Sequence, residues 1–108
     1  MPELILQLTA ESFEAVSSGT WLLDFSSSWC GPCQSLEPVL EELAGEVSSV
    51  RIGKVDVGAH PDLAERFGVT SVPTLFIVRD GERVRKLIGA KTKRQLMRAL
   101  EEAYGAAP

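Results

Sequence analysis

The sequence predicts an α/β fold in which a central mixed sheet of five strands is flanked by four helices. Two observations lead there. Short apolar runs alternate along the chain with segments whose apolar residues recur at helical spacing, the pattern of a parallel sheet built from strand–helix–strand units. Toward the carboxyl end, Asp80-Gly81 separates two strand-like runs and marks a tight hairpin, which adds an antiparallel pair.

Leu4 to Leu8 reads as a short strand, and Thr9 as the N-cap of a helix through Ser17, ended by Ser18-Gly19. Trp21 to Ser26 is a second strand, apolar on both faces for the most part, as a central strand is. Trp21 itself begins the strand and is expected to pack in the core. From Cys30 onward, Leu36, Val39, Leu40, Leu43 and Val47 trace one face of a long amphipathic helix, and Pro38 inside it is the expected site of a kink. Val50 to Val57 makes a third strand, and Pro61 to Phe67 a short helix closed by Gly68. Thr74 to Val78 and Glu82 to Ile88 are the two strands of the hairpin. Thr92 and Gln95 have the spacing of a capping box for a last helix, whose inner face would be Leu96, Met97, Leu100, Ala103 and Tyr104.

With 108 residues, 44% of them hydrophobic and 24% charged, the chain is expected to form one domain over residues 1–108 with a core that needs no staples. Met1-Pro2-Glu3 lacks the basic start and apolar run of a secretory signal, and no apolar run approaches the roughly 20 residues that span a bilayer. The expectation is a cytoplasmic monomer with no membrane association. In that compartment a cysteine pair is more often catalytic or metal-binding than structural.

The net charge of −4 is unevenly spread. Residues Met1 to Val78 carry 3 basic and 11 acidic side chains, whereas Arg79 to Arg94 carry 7 basic and 2 acidic. The plain reading is that Arg83, Arg85 and Lys86 protect an exposed edge strand from pairing with other chains. A docking patch for an acidic partner is the alternative. Net acidity and the lack of interleaved aromatics speak against nucleic acid.

The chain has two cysteines, Cys30 and Cys33, flanking Gly31-Pro32 where the second strand hands over to the long helix. Zinc normally takes four ligands. His60 is the sole histidine and reads as a helix-start residue before Pro61, so a zinc site would need a second chain. A purely structural bridge would close a loop of four residues and contribute little. Reversible redox exchange fits best. A sulfur at the first turn of a helix lies where unpaired N–H groups and the macrodipole favour the thiolate, the nucleophilic form. Pro32 stiffens a position where a missing N–H costs little. Cys33, one turn in, is expected to be less exposed and more basic than Cys30.

At Trp29-Cys30-Gly31-Pro32-Cys33 the sequence resembles the thioredoxin family. The likeness extends in register from Leu4 to Ala103. It takes in Asp24 six residues before the first cysteine, Pro38 five after the second, and Lys54-Val55-Asp56-Val57. It continues through Val69 to Thr74, the Asp80-Gly81 turn and Ile88-Gly89-Ala90. The resemblance implies the thioredoxin fold and a protein-disulfide reductase. Cys30 would attack the target disulfide and Cys33 would resolve the mixed disulfide, leaving a redox-active Cys30–Cys33 bridge. No bound cofactor or metal is implied; a thioredoxin reductase using NADPH and a flavin would restore the dithiol. The resemblance also implies a cis Val72-Pro73 bond facing the cysteines. Trp29, Gly31, Pro32, Val72, Pro73, Gly89 and Ala90 would line the substrate groove, with the Val72 backbone pairing to an extended segment.

Asp24 and Lys54 are the remaining candidates. Strand alternation puts Leu22, Asp24 and Ser26 on one face. A partly wet face would make Asp24 unremarkable; a buried carboxylate would have a raised pKa and could take up the Cys33 proton, with Lys54 beside it. Two positions depart from the family pattern. Ser26 stands where a tryptophan is common, removing apolar cover and leaving a hydroxyl close to Asp24. Gln34 replaces a frequent basic residue. A potential shifted upward by these changes would make an oxidant or isomerase. A non-catalytic binding module is the other class, and retention of the biological role by Cys30→Ser would mark it.

Overall fold

The computed structural model describes residues 5–104, so the expectations for Leu4 and for the side chain of Tyr104 lie outside the described residues. Five strands form one sheet: β1 (Ile5–Gln7), β2 (Thr20–Ser26), β3 (Arg51–Asp56), β4 (Thr74–Arg79) and β5 (Glu82–Ile88). Their spatial order is β1-β3-β2-β4-β5. The β1–β3 and β2–β3 pairs are parallel, and β2–β4 and β4–β5 are antiparallel. Thus β2, which leads into the cysteines, is the central strand, and Thr20 is its only residue that is not buried.

The helices are α1 (Gly31–Glu46), α2 (Pro61–Arg66) and α3 (Lys93–Tyr104), with a five-residue 3₁₀ helix at Phe13–Ser17. The expected first α-helix from Thr9 is therefore corrected to this shorter element, and among the described residues the α-helix count is three rather than four. Side chains explain the loss. The Thr9 N–H donates to Ser12 Oγ at 2.9 Å and the Ser12 N–H to Thr9 Oγ1 at 3.2 Å, which holds the segment as a turn. What remains before Ser18 is too short to repay α-helix nucleation. α1, by contrast, continues through Pro38.

Local signals near the carboxyl end fold as their chemistry directs. Asp80 and Gly81 both have positive φ, 48° and 86°, the geometry of a tight hairpin turn matched to strand twist. The Thr92 N–H donates to Gln95 Oε1 at 2.9 Å and the Gln95 N–H to Thr92 Oγ1 at 3.1 Å, a reciprocal cap for α3. Leu96 and Leu100 are fully buried beneath it, joined by Ala99, which the helical pattern had not singled out.

Strand alternation divides the core into two layers. On one side of the sheet, Trp21, Leu23 and Phe25 of β2 meet Phe13, Leu63, Phe67 and Phe76. The rings of Phe25, Phe67 and Phe76 lie 5.1 to 5.6 Å apart, at tilted or edge-on angles that favour aromatic pairs. On the other side, Leu22 meets Leu36, Leu40 and Leu43 of α1, Leu75 and Ile77 of β4, and Leu96 and Leu100 of α3. β5 forms the sheet edge, and its basic residues are engaged there. The Arg83 guanidinium sits 4.2 Å from the Phe67 ring centroid, and Arg85 pairs with Glu102 at 2.8 Å.

Candidate active site

The parallel pairing of β2 with β3 and the start of α1 bring the sequence-predicted residues to one end of the sheet. Cys30 is the N-cap of α1, with extended backbone (φ −94°, ψ 120°). Its Sγ accepts a hydrogen bond from the Cys33 N–H at 3.2 Å, so the sulfur occupies the position of an ordinary capping oxygen. It also lies 3.8 Å from the Val72 carbonyl, to which its thiol donates. Both cysteines are free thiols. Cys30 is half-buried, whereas Cys33 is only 1% exposed. Burial pushes the Cys33 thiol up to about 11, reinforced by its hydrogen bond with Cys30 and by the charges of Cys30 and Asp24, against a stabilising backbone bond from Ser27. Cys33 is the less exposed of the pair, as its place one turn into the helix predicts.

The loop facing the sulfurs is assembled from two segments distant in sequence. The Val72–Pro73 bond is cis, as the resemblance implied. The Gly89 N–H donates to the Pro73 carbonyl at 2.8 Å, which fastens the end of β5 to this loop; Gly89 does so with φ of 92°, a conformation open to glycine. Trp29 is 78% exposed, and Gly31, Pro32 and Ala90 are also exposed. Ile88, 57% exposed, adds an apolar side chain beside Gly89 that strand patterning alone could not single out as a surface group.

Behind the sulfurs lies Asp24. It is completely buried, which rules out the wet-face reading, and neither carboxylate oxygen has a hydrogen-bond partner among the described residues. Burial raises its pKa from 3.8 to about 6, opposed by the positive charge of Lys54, its cross-strand neighbour on β3. Lys54 makes its ion pair elsewhere, with Glu37 of α1. Sequence reasoning missed Glu37. The available signal was its place four residues after Cys33, on the helix face next to Pro38. Gln34 also has a defined partner: its side-chain N–H donates to the Ser28 carbonyl at 2.9 Å, tying the first turn of α1 to the preceding loop. The structure does not bring Asp24 into direct hydrogen-bond contact with Cys33 or Lys54.

Among the described residues, no group of three or more His, Cys, Asp or Glu is arranged to hold a metal ion, and no helix is long and apolar enough to cross a membrane. Comparison with known proteins gives a consistent picture. Residues 4–102 match the family model described as thioredoxin. The chain is 45% identical over 100 residues to a thioredoxin of Chlamydia caviae, covering 92% of this chain and 98% of that protein. It is 43% identical to a thioredoxin of Staphylococcus haemolyticus, covering 91% and 96%. A solved thioredoxin variant from Halobacterium salinarum superimposes with a TM-score of 0.86 at 34% identity, covering 96% of this chain and 94% of that one. With its close Cys30–Cys33 dithiol at the end of a five-stranded mixed sheet, the chain belongs to the thioredoxin family of thiol–disulfide oxidoreductases.

Proposed function

We propose that the protein reduces disulfides in other proteins, with Cys30 as attacking nucleophile and Cys33 as resolving thiol. The observation that carries this division is the difference in access: Cys30 is reachable at the helix N-terminus, and Cys33 is 1% exposed behind it. Cys30 attacks one sulfur of the target disulfide and the other leaves as a thiolate. Cys33 then attacks Cys30, which releases the second target sulfur and forms the Cys30–Cys33 bridge.

Resolution requires Cys33 to lose its proton. In the dithiol form its hydrogen bond with Cys30 and the Cys30 charge both oppose ionisation. Both effects fade once Cys30 is tied into a mixed disulfide, which lowers the barrier at the moment resolution is needed. Asp24, ionised for the most part above about pH 6, acts as base for that proton. Lys54, held by Glu37, positions positive charge near it. Trp29, Gly31, Pro32, Val72, Pro73, Gly89 and Ala90 form the groove for the target segment, the Val72 backbone offering strand-like pairing. The chain works as a single-domain, cytoplasmic monomer and is returned to the dithiol by a thioredoxin reductase.

The test is trapping. Mixed with a protein disulfide, Cys33→Ser accumulates a mixed disulfide through Cys30, and Cys30→Ser accumulates none; the reverse pattern would overturn the assignment. Equilibration of the wild-type pair in thiol–disulfide buffers checks the direction of electron flow. A potential at or below the cytosolic glutathione poise, roughly −220 to −320 mV, fits a reductase, whereas about −180 mV or higher fits an oxidant or isomerase.

A further inference from the structure

On the aromatic side of the sheet, a cavity of about 250 Å³ opens between the 3₁₀ helix, the end of α2 and the β4–β5 hairpin. Its walls include Phe13, Glu14, Ser17, Arg66, Phe67 and Arg83. None of its lining residues belongs to the thiol site. The hairpin that closes it lies at the opposite end of β2 from the cysteines, because Thr20 is paired with Arg79 whereas Ser26 leads on to Cys30. The rim is well tied. The Gly19 N–H donates to Asp80 Oδ1 and the Asp80 N–H to the Gly19 carbonyl, both at 2.8 Å. Gly81 packs on the 3₁₀ helix, where an added Cβ would lie 3.6 Å from Ser17 Cα.

Two guanidinium groups belong to this lining, and each is held against a ring. Arg66 Cζ lies 5.6 Å from the Phe13 centroid, and Arg83 Cζ 4.2 Å from that of Phe67. The two rings meet edge to face at 5.4 Å, so both cations sit over one aromatic pair. Arg83 also donates from Nη2 to the Arg66 carbonyl at 3.2 Å, which uses one of its five N–H donors. Neither arginine pairs with a carboxylate: the ion pairs among the described residues draw on Lys54, Arg85 and Lys93 instead. Glu14 is the one acidic residue of the lining, so two positive charges against one negative leave the cavity net positive.

We infer that this cavity is a binding site for a phosphate group, free or carried by a small organic molecule. A planar guanidinium presents its N–H donors in pairs that match the oxygens of phosphate. The rings and the Arg66 carbonyl hold the two forks before a ligand arrives, which reduces the ordering cost of binding. The oxygens of a phosphate can meet both forks at once, whereas the two oxygens of a carboxylate are taken up by one. At about 30 Å³ per water in the liquid, the space equals about eight waters, enough for a phosphate with a small body. Ala10 and Val16 give that body apolar lining.

The test titrates the full chain with inorganic phosphate, phenyl phosphate and acetate at constant ionic strength set with sodium chloride. The backbone amides of Ser17, Gly81 and Arg83 are followed by NMR. Saturable shifts are expected with both phosphates, and acetate should bind at least about tenfold more weakly. Arg66→Gln and Arg83→Gln should each weaken phosphate binding by about tenfold or more, the effect of losing charge-assisted hydrogen bonds. Glu14→Gln keeps both arginines and both rings and should tighten binding by up to about fivefold. Tighter binding of phenyl phosphate assigns the site to an organic phosphate and equal binding to the free ion; both uphold it. Shifts that fail to saturate, that acetate reproduces at the same concentrations, or that survive in the Arg66→Gln/Arg83→Gln double variant overturn it. Should an arginine variant not fold, Glu14→Gln decides: tighter binding supports the site, and unchanged or weaker binding refutes it.

Discussion

The two layers of the core carry opposite kinds of design, although β2 supplies alternate side chains to both. On the aromatic side, Trp21, Leu23 and Phe25 pack among rings and aliphatic groups, the Arg51 guanidinium covers the Trp21 ring at 4.6 Å, and the polar atom they bring is satisfied: Trp21 Nε1 donates to the Ser18 carbonyl at 3.1 Å. On the aliphatic side, the same strand continues from Leu22 to a buried carboxylate without partners, and α1 begins with a buried thiol. One layer is finished packing. The other stops short at its active-site end, and the chemistry occupies that unfinished end. A fold with stability to spare on one face can hold an unpaired ionisable group on the other, and the four predictions below test that division.

The largest effect belongs to the aromatic layer. Phe67→Ala removes a ring in contact with Phe13, Phe25 and Phe76, and is expected to cost about 3–5 kcal/mol in denaturant unfolding. Cysteine reactivity per folded molecule should be unchanged, and a change in it would break the separation of the two layers.

Asp24→Asn should do the opposite. Asp24 titrates near 3.8 unfolded and near 6 folded, so below about pH 3.8 it is protonated in both states and contributes nothing. As pH rises through this window the unfolded chain releases its proton first, and stability falls; above about pH 6 the penalty is complete. Neutralising the group is therefore expected to stabilise the protein at pH 7–8 by up to about 3 kcal/mol and to change little at pH 3.5. The same variant should slow release of the mixed disulfide far more than its formation. Unfolding curves at two pH values and stopped-flow kinetics check both halves, and equal slowing of the two steps would remove Asp24 from the mechanism.

Smaller effects sharpen the boundary. Thr92→Ala removes half of the reciprocal cap on α3, which closes the aliphatic layer. A loss of about 1 kcal/mol is expected, with no change in the pH profile of resolution. Lys54→Met leaves the aliphatic stem and removes the charge that opposes the rise in the Asp24 pKa. The midpoint should move above about 6, readable by following the carboxyl by NMR; an unmoved midpoint would show that the Lys54 charge is spent on Glu37 rather than on Asp24.

Local chemistry explains how much of this was legible beforehand. Strand alternation around Asp24, the Asp80-Gly81 turn, the Thr92/Gln95 box and the Cys30 helix start are each set by residues within a few positions of one another. Their physics therefore acts before the chain is folded. The helix expected from Thr9 failed for an equally local reason, the mutual capping of Thr9 and Ser12, which competes with helix and is hard to weigh from pattern alone. The cis Val72–Pro73 bond was available only through resemblance, because X-Pro bonds in folded proteins are cis only about 5–6% of the time.

By itself, then, the sequence determined the alternation of strands and helices, the hairpin, and the pairing of two cysteines at a helix N-terminus, since these depend on side-chain volume, backbone freedom and spacing. Only the tertiary structure decided which thiol is reachable, that the Asp24 carboxylate has no hydrogen-bond partner among the described residues, and that Lys54 turns to Glu37. Solvent exposure and electrostatic environment are properties of how β2, β3 and α1 converge. Residues 24, 37 and 54 become neighbours only once the sheet has formed.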